Sequence, residues 1–440
     1  MERILGTPPQ AMDLAQLKGL GGENANNICI SGIIYSIKDM GGFYFIQLRT
    51  GGFFIQCTLD KEQGIEPLRP ESAVKLVGDK REDARAPHGF EIAIKSVGVL
   101  SCPKEELPFV ITKRKLDISL EKQLKYRLAA LRHRHSLAVF KLQEGLVRGF
   151  RDFLTSGGFT EIFSPKIVAG SAEGGANVFK MNYFGRTAFL AQSPQFYKQM
   201  MVPVYGRVFE IGPVFRAEKH DTVRHLNEYV SVDLEIGFIE SFYDILQMET
   251  AMLRHCFAYL KEHCAGTLET LGLELPTVDE IPMLGFREAK ELVSARYNRR
   301  IKDPFDLEPE EEKLIGQMVL EDTGSDFVFV THYPEKKRPF YAKDDPADPR
   351  YTLSFDLLYK GMEITTGGQR IHDYDEQVEK MQRKGLDPAE FESFLMLHKY
   401  GAPPHGGMGM GLERLCMKLL GQDNIRHSSL FPRDTSRLEP

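Results

Sequence analysis

FEIGPVFRAEKHDTVRHLNEYVSVDLEIGFI, residues 209–239, is the stretch on which the fold turns. Two hydrophobic, strand-like arms, FEIGPVFRAE and EYVSVDLEIGF, flank a polar loop. Arg216, Glu218, Asp233 and Glu235 lie on those arms. A charge on a strand of a sheet core is costly unless it is paired or bound to a ligand. The hairpin is therefore either a structural ion-pair network or the wall of a binding site, and its residues alone leave both readings open.

Three segments outside the hairpin repeat this density of charge. In HGGMGMGLERL, residues 405–415, a Gly-rich strand runs into a helix carrying Arg414. Glycines let a flat ligand approach the backbone, and an arginine beyond them can hold a phosphate by its forked donors. The GK[ST] ending of a P-loop is missing. In SFDLLYKGMEITTGGQRIHDYD, residues 354–375, Asp356 and Glu363 could hold Mg2+ against a nucleotide, and Arg370 could grip a carboxylate bidentately. In FLAQSPQFYKQMMV, residues 189–202, Ser193, Gln195 and Lys198 crowd a turn.

Residues 27–100 read as short strands, NICISGIIYSI, FYFIQL, GFFIQCTL, AVKLVGDK and GFEIAIKSVGVL, divided by Gly-rich turns. That spacing predicts a small β-barrel, of which the five-stranded OB-fold is one kind. SCPKEELPF closes it, and residues 119–156 read as helical. The remainder mixes strands and helices without regular alternation, so the fold class is α+β.

The chain has 440 residues, 42% hydrophobic and 27% charged, with a net charge of −6. Its length suggests two or three domains, and its composition is that of a soluble globular protein. No apolar run reaches the roughly 18 residues of a membrane span, and MERILGTPPQAMDL has no secretory pattern, so a cytoplasmic protein is the expectation. Six cysteines are scattered without a CxxC pair, which argues against a zinc site. His255, Cys256, His263 and Cys264 fall in a helical pattern and read as packing or surface residues. Residues 111–150 hold ten Lys/Arg against three Asp/Glu, a stretch that is either a solvated face or a track for a phosphate backbone.

Taken together, these segments resemble the class IIb aminoacyl-tRNA synthetases, and within them the archaeal-type aspartyl enzymes, over about residues 27–440. GFTEIFSPKI is similar to motif 1, with Pro165 at its expected dimer interface; FRAEKHDTVRHLNE is similar to motif 2 and GMGMGLERL to motif 3. The resemblance implies an OB-fold anticodon-binding domain over 1–108, a basic hinge over 109–135 and an antiparallel-sheet class II catalytic domain over 136–440. It implies ATP and Mg2+, L-aspartate, tRNA(Asp) and a homodimer, with no membrane partner. Arg216 would bind the α-phosphate, Glu218 the adenine end, His225 the phosphates and Arg414 the γ-phosphate, while Asp356 and Glu363 would hold Mg2+. QSPQFYK matches the aspartyl segment: Lys198 and Arg370 would take the substrate's side-chain carboxylate, Glu173 and Asp233 its ammonium, with Gln195 and Tyr341 lining the pocket. The loop KHDTVRH would hold the acceptor end of the tRNA. Tyr35, Phe45, Gln56, Pro87 and Glu91 fall at anticodon contacts.

The chain departs from the family at Tyr35, where tryptophan marks strict enzymes and histidine relaxed ones, whereas Pro87 matches the relaxed type. Charging of tRNA(Asn) is thereby left open. Asparaginyl-tRNA synthetase is the alternative within the family, opposed by Lys198. A non-acylating RNA-binding paralogue is the alternative outside it, opposed by the filled set Arg216, Glu363 and Arg414. Aspartate activation for another acceptor is opposed by the barrel.

Overall fold

A computed structural model describes residues 14–63, 68–170, 177–219 and 222–439. Glu173, expected at the substrate ammonium, and His220 and Asp221 of the expected acceptor-end loop lie outside the described residues. The chain divides into two compact units, Met1–Ser119 with Leu128–Leu137, and Leu120–Arg127 with Ala138–Pro440.

The first unit is built on β1 (Ile28–Asp39), β2 (Phe43–Thr50), β3 (Phe53–Asp60), β4 (Ala73–Glu82) and β5 (Phe90–Ser101), closed as a barrel in the order β1-β2-β3-β5-β4. Period-two alternation sends Ile46, Leu48, Ile55, Cys57 and Leu59 into the barrel core. Phe45, Gln56 and Thr58 fall on the opposite face of the same strands. Part of the basic stretch serves structure here: Arg132 and Arg49 both pair with buried Glu71, at 2.6 and 3.1 Å.

The second unit contains β6 (Thr160–Glu161), β7 (Ile167–Val168), β8 (Lys180–Tyr183), β9 (Arg186–Leu190), β10 (Arg207–Phe215), β11 (Glu228–Gly237), β12 (Met283–Gly285), β13 (Phe327–Thr331), β14 (Ser354–Tyr359), β15 (Glu363–Gln369) and β16 (His405–Gly411). Eight of these form one sheet, ordered β12-β13-β14-β15-β16-β11-β10-β6, antiparallel except at its two outermost pairings. The α+β expectation, a small barrel followed by a large antiparallel sheet, agrees with this architecture. Helices Arg134–Ser156 and Tyr243–His263 bury Leu142, Leu146, Phe150, Leu253 and Phe257 in one core with Val232, Leu234, Met408 and Met410 of the sheet. Cys256 belongs to that core, and His255 bonds Asp152, so the His/Cys segment has the packing and surface roles read from its periodicity. Among the described residues no group of three or more His, Cys, Asp or Glu is placed to hold a metal. Among the described residues no helix is long and apolar enough to cross a membrane.

Between β11 and β13 the chain adds helices Phe286–Tyr297 and Pro309–Thr323, which share a core of Phe286, Val293, Ile315 and Val319 with Val328 and Val330 of β13. Pro309 opens its helix at the position where a missing N–H costs nothing. Buried Glu311 pairs with Lys290 at 2.6 Å and accepts from Glu308 N–H at 2.9 Å, which locks the first turn.

Candidate active site

Alternation along β11 decides the chemistry of this sheet. Val232, Leu234 and Ile236 point into the core, so Ser231, Asp233 and Glu235 point to the opposite face. There β16 pairs Gly409 with Asp233 and Gly407 with Glu235. A Cβ on Gly407 would stand 2.3 Å from the Glu235 carboxylate, and one on Gly409 3.0 Å from that of Asp233. The glycines thus leave room for two acids on the sheet floor.

These acids meet two cations. Lys198, on helix Gln195–Tyr205 and only 1% exposed, donates to Asp233 at 2.9 Å and to the Met408 carbonyl at 2.8 Å, and lies 3.5 Å from Glu235. Arg370 donates to Glu235 at 2.9 Å and to the Gly407 carbonyl at 2.9 Å. Ser231 also donates to Asp233, at 2.5 Å. The result is a buried, charge-balanced set of two acids and two bases. Lys198 and Arg370 come together on this pair of acids, and Asp233 serves Lys198 in this arrangement. The Arg370 guanidinium lies 5.6 Å from the Tyr341 ring. The amide Nε2 of Gln195, a buried residue, has no hydrogen-bond partner, an open donor for a ligand oxygen.

Of these side chains Gln195, Lys198, Ser231, Asp233, Tyr341 and Arg370 border a cavity of about 610 Å3, with fully buried Glu235 set back from it, and Arg216, Glu218, His225, Glu363 and Arg414 border the same cavity. Asn227 draws the β10–β11 loop together, donating to the carbonyls of Arg216 at 2.7 Å and Glu218 at 3.0 Å. His225 lies 3.7 Å from Glu218 and 2.6 Å from the Thr222 hydroxyl, and burial lowers its pKa against the opposing charge of Glu218. Arg414 stands 3.3 Å from the Glu363 carboxylate. Burial raises the Glu363 pKa, but Arg414, Arg224 and Arg338 outweigh it and hold the carboxyl below its ordinary value.

Glu363 and Asp356 sit on neighbouring strands, but they differ in environment. Asp356 is buried and accepts from Arg338 at 2.8 Å; burial pushes it up to about 6 against that arginine. Glu363 borders the cavity and Asp356 does not. Mg2+ carried on a nucleotide needs only one or two protein carboxylates, the phosphates and water completing its shell. Glu363 fits that need from the cavity wall, with Asp356 behind it.

Sequence reasoning gave no role to Glu235 or Arg338 and gave Arg224 only a share in the acceptor-end loop KHDTVRH, whereas the structure ties all three to this site. Glu235 carried a readable signal, since Ser231, Asp233 and Glu235 share one strand face. Arg224 and Arg338 carried none, because their partners are distant in the chain.

In the barrel, Gln56 donates to Glu91 at 3.0 Å and Thr58 to the same carboxylate at 3.4 Å. Phe45 lies half-buried 5.0 Å from Phe43, and Pro87 is exposed on the β4–β5 turn. Tyr35 requires a correction. It is 4% exposed, packed edge-on against Phe54 at 4.7 Å beneath Ile111, and its hydroxyl donates to the Ile111 carbonyl at 2.5 Å. Buried and bonded in this way, its side chain has no surface to offer a base.

A further buried acid lies on the core side of the sheet. Burial pushes Glu249, in helix Tyr243–His263, up to about 8, against an opposing Thr365 hydroxyl. The folded chain then keeps a proton that the unfolded chain loses, so stability falls as pH rises from about 4.5 to about 8. The slope is on the order of 1.4 kcal/mol per pH unit. Glu249→Gln is expected to remove that contribution in denaturant melts across this window; a slope equal to that of the wild type refutes it.

The model for tRNA synthetases class II (D, K and N) matches residues 119–435. The aspartate–tRNA(Asp/Asn) ligase of Aeropyrum pernix is 44% identical over 422 residues, 93% of this chain and 95% of the relative. That of Deinococcus radiodurans is 43% identical over 417 residues, with the same coverage of 93% and 95%. The solved asparaginyl-tRNA synthetase of Pyrococcus horikoshii, complexed with asparaginyl-adenylate, superposes with a TM-score of 0.88 at 30% identity over 98% of this chain and all of that one. With motif order, hairpin geometry and cavity in accord, the chain belongs to the class II tRNA synthetases of the D, K and N group.

Proposed function

We propose that the chain is an aspartate–tRNA ligase, joining L-aspartate to tRNA through an aspartyl-adenylate. The observation that carries this reading is that buried Lys198, Arg370 and Asp233, with Glu235 paired behind them, share one cavity with Arg216 and Arg414. A buried charge must stay paired. A substrate bearing both a side-chain carboxylate and an ammonium can exchange partners with this set and leave no charge alone. An amide in place of that carboxylate brings Lys198 no anion, which disfavours asparagine.

In the first step the aspartate α-carboxylate attacks the α-phosphorus of ATP, a new O–P bond forms and pyrophosphate leaves. Arg216 stabilises the charge growing on the α-phosphate, Arg414 and His225 hold the phosphate tail, and Glu218 orients the adenine end. Catalysis is positioning and charge neutralisation, with no protein nucleophile. Glu363, with Asp356 behind it, would hold Mg2+, which would supply further neutralisation of phosphate charge. In the second step the terminal ribose hydroxyl of tRNA attacks the mixed anhydride and AMP leaves.

The barrel face bearing Phe45, Gln56 and Glu91 takes the anticodon, and a base stacked on Phe45 contributes roughly 1–3 kcal/mol. Exposed Pro87 matches the relaxed type, and two relatives matching nearly the whole chain are tRNA(Asp/Asn) ligases. The chain accordingly charges tRNA(Asn) as well as tRNA(Asp), and a second enzyme must amidate the mischarged product. It works in the cytoplasm as a homodimer. Exposed Phe163 and Ile167, on either side of Pro165, give apolar surface that a dimer would cover.

The test is aminoacylation of tRNA(Asp) and tRNA(Asn) transcripts with labelled aspartate and asparagine. Aspartate on both is expected. Aspartate on tRNA(Asp) alone refutes the relaxed reading, and asparagine on tRNA(Asn) favours the asparaginyl alternative. Pyrophosphate exchange without transfer moves the assignment to another acceptor.

A further inference from the structure

Glu312 lies in helix Pro309–Thr323, within the added segment and outside the three motifs. Its two carboxylate oxygens accept from Arg224 Nη2 at 3.1 and 2.8 Å, and one of them also accepts the Glu363 N–H at 3.0 Å. One buried carboxylate thus joins the loop of the 209–239 hairpin to the start of β15. Both attached residues border the cavity. The mount is stiff, because neighbouring Glu311 is fixed by Lys290 and by the Glu308 N–H. The loop is also held from the far side: Ile425 N–H donates to the Val223 carbonyl at 2.9 Å, and Arg426 to that of Thr222 at 3.1 Å. Arg224 keeps a buried Nε–H with no hydrogen-bond partner. A half-buried guanidinium with a spare donor on a cavity wall suits an arriving anion.

We infer that Glu312 is a positioning residue for the nucleotide, setting the spacing between Arg224 and Glu363 so that both meet the same phosphate tail. This rests on the reading that the cavity takes ATP. Because one oxygen serves two partners, the carboxylate fixes a distance that two separate bonds would leave adjustable. Arg224 offers charge and a directed donor, while Glu363 offers the carboxylate suited to a nucleotide-borne cation. Glu312 itself touches no substrate.

The test compares Glu312→Gln, Glu312→Asp and Arg224→Gln in aspartate-dependent pyrophosphate exchange, with thermal melts as a control on folding. Glutamine keeps the shape but loses the charge, and aspartate is too short to span both partners. For either Glu312 variant the KM for ATP should rise roughly tenfold, the range for losing one charge-assisted bond. The KM for aspartate should stay within about twofold. Adding Arg224→Gln to Glu312→Gln should weaken ATP use by less than the product of the single effects. An unchanged KM for ATP, an equal rise for both substrates or strict additivity overturns the inference. Should the wild-type protein show no exchange, the proposed function fails. Equilibrium dialysis with labelled ATP then decides this inference: weaker binding by Glu312→Gln supports it and equal binding overturns it.

Discussion

Arg216→Ala is expected to lower aspartate-dependent pyrophosphate exchange by roughly 10²–10³-fold or more, the range for removing one donor aimed at developing charge. The fold should be untouched. Two bonds that hold the loop neck are made by its backbone, whose N–H donates to the Asn227 carbonyl at 2.8 Å and whose carbonyl accepts from the Asn227 amide at 2.7 Å. Alanine keeps both bonds, so the loop neck should survive while the cavity loses a cation. The loss should appear mainly in kcat, because an interaction that strengthens as charge builds on the α-phosphate acts on the transition state more than on bound ATP. A variant that exchanges normally would remove Arg216 from the chemistry. A variant that also melts far below the wild type would mean that its side chain has a structural role.

Lys198→Leu should produce two losses at once. The structure buries Asp233 and Glu235 against Lys198, with Asp233 bonded otherwise to Ser231. Removing the lysine leaves a buried carboxylate short of its cation, at a cost of about 3–5 kcal/mol. The variant should melt well below the wild type and lose its preference for aspartate over asparagine. The double variant Lys198→Leu/Asp233→Asn removes the stranded charge and should recover most of the stability, with Arg370 and Glu235 still paired at 2.9 Å. Its preference for aspartate should not return. Recovery of both properties would separate Lys198 from substrate choice, and a single variant as stable as the wild type would mean that Asp233 is not a stranded charge.

The same set marks where reading the chain stops. Sequence by itself determined the barrel, the order of the three motifs and the charged hairpin, since each is written locally. Alternation in VSVDLEIG puts Asp233 and Glu235 on one strand face, and the Gly-rich run before Arg414 opens the floor above them. The family resemblance also assigned Arg216, Glu218, His225, Gln195, Lys198, Tyr341, Glu363, Arg370 and Arg414 to one site, and the structure sets them around one cavity. Only the tertiary structure decided which charges meet. Lys198 finds Asp233 35 residues away and the Met408 carbonyl 210 away, Asp356 turns to Arg338, and Glu312 reaches back 88 residues to Arg224. It also decided that Tyr35 is buried, because packing under Ile111 depends on the chain beyond β5. A sequence fixes the period and chemistry of each strand, but the partner of a buried charge is set by strand order and helix docking, which bring distant residues within hydrogen-bond reach.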